Sequence, residues 1–291
     1  MKRIKLKEMI EGGELVQAPG VYDALTARIV ESRGFNAVYM TGYGTAASHF
    51  AYPDIGLLTM TEMVENASRI ADAVTVPLIA DADTGYGNPM NVVRTVRAYE
   101  RVGVAAIHIE DQVWPKRCGH MSGKRVIDAS EMAGKIKAAV DARRDENFLI
   151  IARTDAIATN GFDHAIERGH LFAEAGADVL FIEAPVSREQ VEQIPRLLPE
   201  RFHLINLAPR TPNFSSRELK EMGYSIAIYP GICLPGAITG CLEEIKKLKD
   251  TGTQTNFADW VQSFSELNDF LGLQSYLDLE LRYRDDQGSD C

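Results

Sequence analysis

One device recurs along this chain and narrows what it can fold into: a helix-like stretch ends in Gly, and four to eight mostly apolar residues follow at once. Gly34, Gly103, Gly176 and Gly223 open such runs at 35–40, 104–110, 177–183 and 224–230. Gly just past a helix accepts the left-handed conformation that ends it, and an apolar, β-branched or aromatic run suits a parallel strand buried on both faces. Runs of the same kind at Leu15–Ala18, Val76–Asp81, Phe148–Thr154 and His203–Leu207 bring the number to eight. The segments between and after them read as helices: Asp23–Ser32, Thr61–Ala73, Pro89–Val102, Ser130–Arg143, Asp163–Ala175, Ser187–Leu197, Ser215–Met222 and Pro235–Lys249. Eight alternating units predict an α/β fold, a closed (β/α)8 TIM-type barrel filling residues 1–250 as one domain. The rival, a doubly wound open sheet, is disfavoured because no Gly-x-Gly-x-x-Gly follows the first strand.

Residues 251–291 exceed what a barrel requires. Phe257, Trp260, Val261, Phe264, Leu267, Phe270 and Leu271 recur at three- and four-residue spacing, so 257–271 predicts a helix that covers its own barrel or a neighbouring subunit, before an irregular polar tail. A formal charge of −10 argues against nucleic acid or an anionic membrane as a partner. The longest apolar run, 148–152, falls far short of the ~20 residues that span a bilayer. The N-terminus alternates charged and apolar residues and offers no secretory h-region. None of the four cysteines sits in a C-x-x-C pair. These features predict a reduced, cytoplasmic protein that acts on a small molecule.

In a barrel, catalytic groups belong at the C-terminal ends of the strands. The polar residues collect there: Thr41 to Gly44 after the second strand, Asp81 and Asp83 at the third, His108, Glu110 and Asp111 at the fourth, Arg153 and Asp155 at the fifth. Glu183 closes the sixth, Asn206 the seventh and Tyr229 the eighth. Asp81 and Asp83 are two apart, so both can point into the mouth, where Glu110 can join them. Three close carboxylates repel unless a cation neutralises them, and hard oxygen donors without His or Cys suit Mg2+ or Mn2+ rather than zinc. The plainer alternative is one or two buried acids paired with Arg153 and no metal. The glycines of Asp83-Thr-Gly-Tyr-Gly87 lack the Lys and Ser/Thr of a phosphate-binding P-loop and read as a tight turn.

The loop after the fourth strand carries Lys116, Arg117, Cys118, Gly119 and His120 in succession. Adjacent cations lower a thiol's pKa, so Cys118 is suited to exchange a proton near neutral pH, with Gly119 as a hinge for a closing loop. The alternative is a solvated basic loop with an incidental thiol.

Pro19-Gly-Val-Tyr-Asp-Ala24, Tyr39-Met-Thr-Gly42, Asp81-Ala-Asp-Thr-Gly-Tyr-Gly87, Ile109-Glu-Asp-Gln112 and Lys116-Arg-Cys-Gly-His120 together resemble the isocitrate lyase/phosphoenolpyruvate mutase superfamily over roughly residues 5–250. The Cys-containing loop resembles its carbon–carbon lyase branch, which includes the isocitrate, 2-methylisocitrate and 2,3-dimethylmalate lyases. The resemblance implies that Asp83 binds Mg2+ directly while Asp54, Asp81 and Glu110 hold its waters. It implies that Thr41, Gly42, Tyr43 and Arg153 grip the carboxylate of a 2-hydroxy acid, with Glu183 and Asn206 lining the pocket. Tyr39 is then the base, Cys118 the acid that protonates the departing carbon, and Lys116, Arg117 and His120 hold the dianionic enolate. It further implies a homotetramer whose last helices exchange between barrels.

One region departs from the pattern. Asn206-Leu-Ala-Pro-Arg-Thr-Pro212 lacks the Glu that methylisocitrate lyases carry after this Asn, and Pro235 stands where they carry Arg. Without a cation for a third carboxylate, a dialkyl dicarboxylate such as 2,3-dimethylmalate becomes at least as good a fit as methylisocitrate. Two rival readings remain. Cys118 argues against phosphonate or oxaloacetate chemistry, and the intact acid set with Arg153 argues against a non-catalytic carboxylate-binding relative.

Overall fold

The structure, a computed structural model, describes residues 2–119, 121, 123–253 and 264–284. Strands β1 (Val16–Val21), β2 (Val38–Met40), β3 (Leu78–Asp81), β4 (Ala106–Glu110), β5 (Leu149–Thr154), β6 (Val179–Ile182), β7 (Phe202–Asn206) and β8 (Ile226–Tyr229) close in chain order into one parallel barrel. β1 meets β8 from Val16 opposite Ile226 to Pro19 opposite Tyr229. The helices are α1 (Lys2–Glu11), α2 (Ala24–Ser32), α3 (Gly42–Phe50), α4 (Met60–Ala73), α5 (Pro89–Arg101), α6 (Ala129–Ala142) and α7 (Ile157–Asn160). They continue with α8 (Phe162–Glu174), α9 (Arg188–Leu197), α10 (Ser216–Met222), α11 (Cys233–Thr251), α12 (Phe264–Leu271) and α13 (Leu273–Tyr283).

Alternation along the strands decides where chemistry can occur. Ile79, Ile151, Phe181 and Leu204 belong to one buried cluster with Tyr39, Leu149, Val179, Ile226 and Ile228, which fills the barrel interior. Two residues further along the same strands, with the same inward parity, come Asp81, Arg153, Glu183 and Asn206. The apolar interior thus passes directly into a polar mouth. The opposite mouth is shut by α1, whose Leu6 and Ile10 are buried in that interior cluster. A second, larger cluster joins the outer faces of the strands to the helices.

The eight expected strands and their helices all form. Four helices were not expected. α1 reads as alternating charge because only Leu6 and Ile10, four apart, reach the core. α3 begins with Gly42 and Gly44, poor helix formers, but the Thr41 hydroxyl accepts from the Gly44 N–H and caps it. α7 is a single turn, and α13 occupies part of what reads as an irregular tail. Of the predicted helix 257–271, α12 accounts for its end and residues 257–263 lie outside the described residues. Residues 1–236, with all eight strands, form one compact unit, and 237–291 form another, so the division falls within α11. Among the described residues no helix is long and apolar enough to cross a membrane.

Candidate active site

The strand register builds the site. Asp81 pairs across to His108, and Glu110 to Arg153, so each of these acids has a nitrogen-bearing side chain beside it on the rim. Above them lies a cavity of about 630 Å³ whose walls include Tyr39, Thr41, Tyr43, Asp54, Asp81, Lys116, Cys118, Arg153, Asn206 and Pro235. A void of about 10 Å³, room for a single water or small ion, shares Asp54 and Lys116 with it and adds Gly42 and Asp83.

The four predicted metal acids are all buried: Asp54, Asp81, Asp83 and Glu110. Asp81 anchors the group, since Oδ1 accepts the Asp83 N–H at 2.9 Å and Oδ2 the Gly42 N–H at 3.2 Å. Burial alone would raise its pKa, but His108, Lys116 and Arg153 hold the carboxyl below its ordinary range. Asp83 sits in left-handed backbone at φ 47°, which turns its carboxylate toward Asp54 and Lys116. Burial, reinforced by Asp81 and Asp54, lifts Asp83 to about 6. Burial also pushes Glu110 well above the carboxylate range against the pull of Arg153.

These acids do not form a ready-made ligand cluster. Among the described residues no three His, Cys, Asp or Glu side chains are gathered as a metal set. Two of the protein's own cations stand between them. The Lys116 ammonium lies 2.5 Å from Asp54 Oδ1 and 2.7 Å from Asp83 Oδ1. Arg153 reaches Glu110 at 3.2 Å, Asp155 at 2.9 Å and Glu183 at 3.7 Å. The donor set still fits a hard divalent cation. Among the described residues, Asp54, Asp81, Asp83, Glu110, Asp155 and Glu183 face only Lys116, Lys124 and Arg153 as buried cations around this mouth, and Glu110 Oε1 is buried without a hydrogen-bond partner.

The residues expected to grip a carboxylate divide. Thr41, Gly42 and Tyr43 form the N-terminus of α3, where helix N–H groups favour an anion. The Gly42 N–H, expected to donate to substrate, donates to Asp81 instead, and the Thr41 hydroxyl accepts from Gly44. Glu183 accepts from Asn206 Nδ2 at 3.2 Å to both oxygens, which sets Asn206 against the cavity. Tyr39 OH lies 2.9 Å from Nε2 of His108. Burial foremost, with Asp81 adding, raises Tyr39 well above its ordinary range, so it stays a phenol, while burial lowers His108 to about 4 and keeps it neutral.

In the loop, Cys118 is half-buried on the cavity wall, and its N–H donates to the Asp54 carbonyl at 3.1 Å. Gly119 permits a close approach. A Cβ there would strike Arg153 Nη2 and come within 3.0 Å of Glu183, and Gly119 is not among the positive-φ glycines. Arg117 is not brought to this cavity. The Gln112 side chain clasps its backbone at 3.0 and 2.8 Å, and it lines a separate cavity of about 650 Å³. His120 lies outside the described residues. The strand-end reading placed His108 and Asp155 on the rim without assigning them a role, and Lys124, whose ammonium pairs with Asp155 at 2.7 Å, was passed over. His108 shares inward parity with Glu110.

A closed eight-stranded parallel barrel with an acid-rich mouth and a thiol on the loop above it defines a class of enzyme. Residues 6–249 match the phosphoenolpyruvate phosphomutase family, and the chain belongs to the phosphoenolpyruvate mutase/isocitrate lyase superfamily, whose lyases and mutases use a divalent metal. It is 48% identical over 281 residues to the 2,3-dimethylmalate lyase of Eubacterium barkeri, covering 96% of this chain and 97% of that one. It is 42% identical over 273 residues to a 2-methylisocitrate lyase of Aeropyrum pernix, covering 93% and 87%. A crystal structure of 2,3-dimethylmalate lyase in a trigonal form superposes with a TM-score of 0.92 at 39% identity, over 100% of this chain and 99% of that one. These relatives are carbon–carbon lyases.

Proposed function

We propose that this enzyme cleaves the C2–C3 bond of a 2-hydroxydicarboxylate of the 2,3-dimethylmalate type to pyruvate and a saturated carboxylate, with Mg2+ as cofactor and Mn2+ as substitute. The observation that carries this reading is the shared cavity: an acid rim, Arg153, the α3 N-terminus and the Cys118 thiol face the same 630 Å³. Asp83, with Asp54, Asp81 and Glu110, would hold the cation, which supplies Lewis acidity at the C2 oxygen.

The chain's own groups divide the remaining work. Arg153 and the first residues of α3 orient the 2-hydroxy acid carboxylate. Tyr39 receives the hydroxyl proton while passing its own hydrogen to Nε2 of neutral His108, a transfer that the 2.9 Å separation permits when His108 carries its hydrogen on Nδ1. As C2 becomes a carbonyl, the C2–C3 electron pair moves onto the departing half, and the Cys118 S–H delivers a proton to C3. Lys116 lines the cavity and would reach the enolate on leaving Asp54 and Asp83; Arg117 would have to move to join it.

Pro235 and Ile232 on the cavity wall support an alkyl-bearing dicarboxylate over a tricarboxylate. A panel assay coupling pyruvate to lactate dehydrogenase tests this: 2,3-dimethylmalate should be turned over and methylisocitrate poorly, whereas release only from oxaloacetate or phosphonopyruvate would refute the lyase. Pro235→Arg should shift the kcat/KM ratio about 10- to 100-fold toward methylisocitrate, the value of one charged hydrogen-bond partner.

A homotetramer with exchanged C-terminal helices is part of the proposal. On α11, Ile238, Leu242, Ile245 and Leu248 recur every three or four residues and are at least 50% exposed, an apolar stripe suited to a neighbouring copy. Light scattering after size exclusion should give the mass of four chains; a monomer at micromolar concentration would contradict it. The site is proposed to work in the cytoplasm.

A further inference from the structure

We propose that the Lys116 ammonium is a built-in stand-in for the divalent cation: it holds the carboxylates of Asp54 and Asp83 whenever no metal does, and metal binding displaces it and so frees the Lys116–Cys118 segment from Asp54. This rests on the reading of Asp54 and Asp83 as cation ligands.

Lys116 bridges two acids from different parts of the fold, Asp54 after α3 and Asp83 after β3, at 2.5 and 2.7 Å. All three residues are buried, at 3%, 7% and 3% exposure. Burial opposes the lysine's charge, but Asp83, Asp54, Asp81 and Glu110 outweigh it and raise its pKa well above the ordinary value, so the group stays an ammonium. One positive charge between two carboxylates leaves the pair under-neutralised, and a divalent ion satisfies it better. Both cannot occupy the same oxygens, because two cations in contact in a buried site repel strongly. The void of about 10 Å³ walled by Asp54, Asp83, Gly42 and Lys116 leaves room for one small ion beside the ammonium.

Asp54 ties down this loop segment twice. Its carboxylate takes Lys116 Nζ, and its backbone carbonyl takes the Cys118 N–H at 3.1 Å. A metal that claims the carboxylate removes the stronger tie to Asp54 and leaves its carbonyl's bond to Cys118, beside the Gln112 clasp on the Arg117 backbone. Metal occupancy and the position of the proton-donating thiol are thereby coupled, and by linkage the docked lysine weakens metal binding as much as metal weakens docking. The released ammonium is then available to the enolate, so one cation serves two places in turn.

Hydrogen–deuterium exchange of the wild-type protein with and without Mn2+ provides the first test. Mn2+ should slow exchange at Asp81–Asp83 and speed it at Lys116–Cys118. Protection of both segments, or an unchanged Lys116–Cys118, overturns the proposal. The second test follows free Mn2+ by electron paramagnetic resonance with wild type and with Lys116→Met. The variant should bind Mn2+ about tenfold more tightly or better. Equal or weaker binding by a folded variant leaves the metal site standing and removes the proposal. No Mn2+ binding by either protein, with no protection at Asp81–Asp83, refutes the metal site and the proposal with it.

Discussion

Replacing Cys118 by serine is expected to lower kcat by about 10²- to 10⁴-fold while leaving KM nearly unchanged. The substitution keeps the backbone N–H that bonds the Asp54 carbonyl, so the loop should dock as before. What it removes is an acid strong enough to protonate a carbanion in this cavity. A serine hydroxyl is many orders of magnitude less acidic than a thiol, and no other thiol lines the cavity among the described residues. Steady-state kinetics with 2,3-dimethylmalate checks the split. An unchanged kcat, or a loss confined to KM, would remove Cys118 from its assigned step.

Arg153→Met is expected to abolish turnover and also to destabilise the fold by about 3–5 kcal/mol, on the order of a 10 °C fall in Tm. The reason is electrostatic rather than steric. Arg153 is buried among Glu110, Asp155 and Glu183, and its guanidinium lies 5.1 Å from the Phe181 ring centroid. Methionine fills the volume but leaves three buried acids with one fewer cation, and Lys124, paired with Asp155 Oδ1, relieves only one of them. Asp155, whose pairing with Arg153 and Lys124 outweighs burial and brings its pKa down to about 2, loses the larger of these two pulls but keeps Lys124. Calorimetry of the variant checks the stability arm. A Tm within a degree or two of wild type would show that the acids tolerate its loss.

Much of this architecture is legible in the sequence because two local signals coincide. Gly34, Gly103, Gly176 and Gly223 all adopt positive φ at helix ends, or just past them, as their positions suggest. Inward parity then carries Ile79 to Asp81, Ile151 to Arg153 and Phe181 to Glu183, so the rim residues follow from alternation once the strands are placed.

What stayed hidden depends on contacts between distant residues. Spacing sets Lys116 beside Cys118 and suggests that it tunes the thiol, whereas the fold sends its ammonium to Asp54, 62 residues away. Gly119 reads as a hinge because glycine is permissive; the guanidinium packed against it adds a constraint that no local pattern announces. α3 was invisible for the opposite reason, since its glycines argue against a helix that the Thr41 cap and its packing secure. The pair Tyr39–His108 joins β2 to β4 across the interior, a relation fixed by barrel closure rather than by sequence neighbourhood.

Product analysis by nuclear magnetic resonance in deuterated water follows both the metal-assisted cleavage and the proton that the enzyme adds. With Mg2+ and 2,3-dimethylmalate, pyruvate and propionate should form in equal amounts, the propionate carrying one solvent-derived deuterium at C2, and no products should form once a chelator has removed the metal. Cleavage that persists without metal, or products other than this pair, would contradict this mechanism.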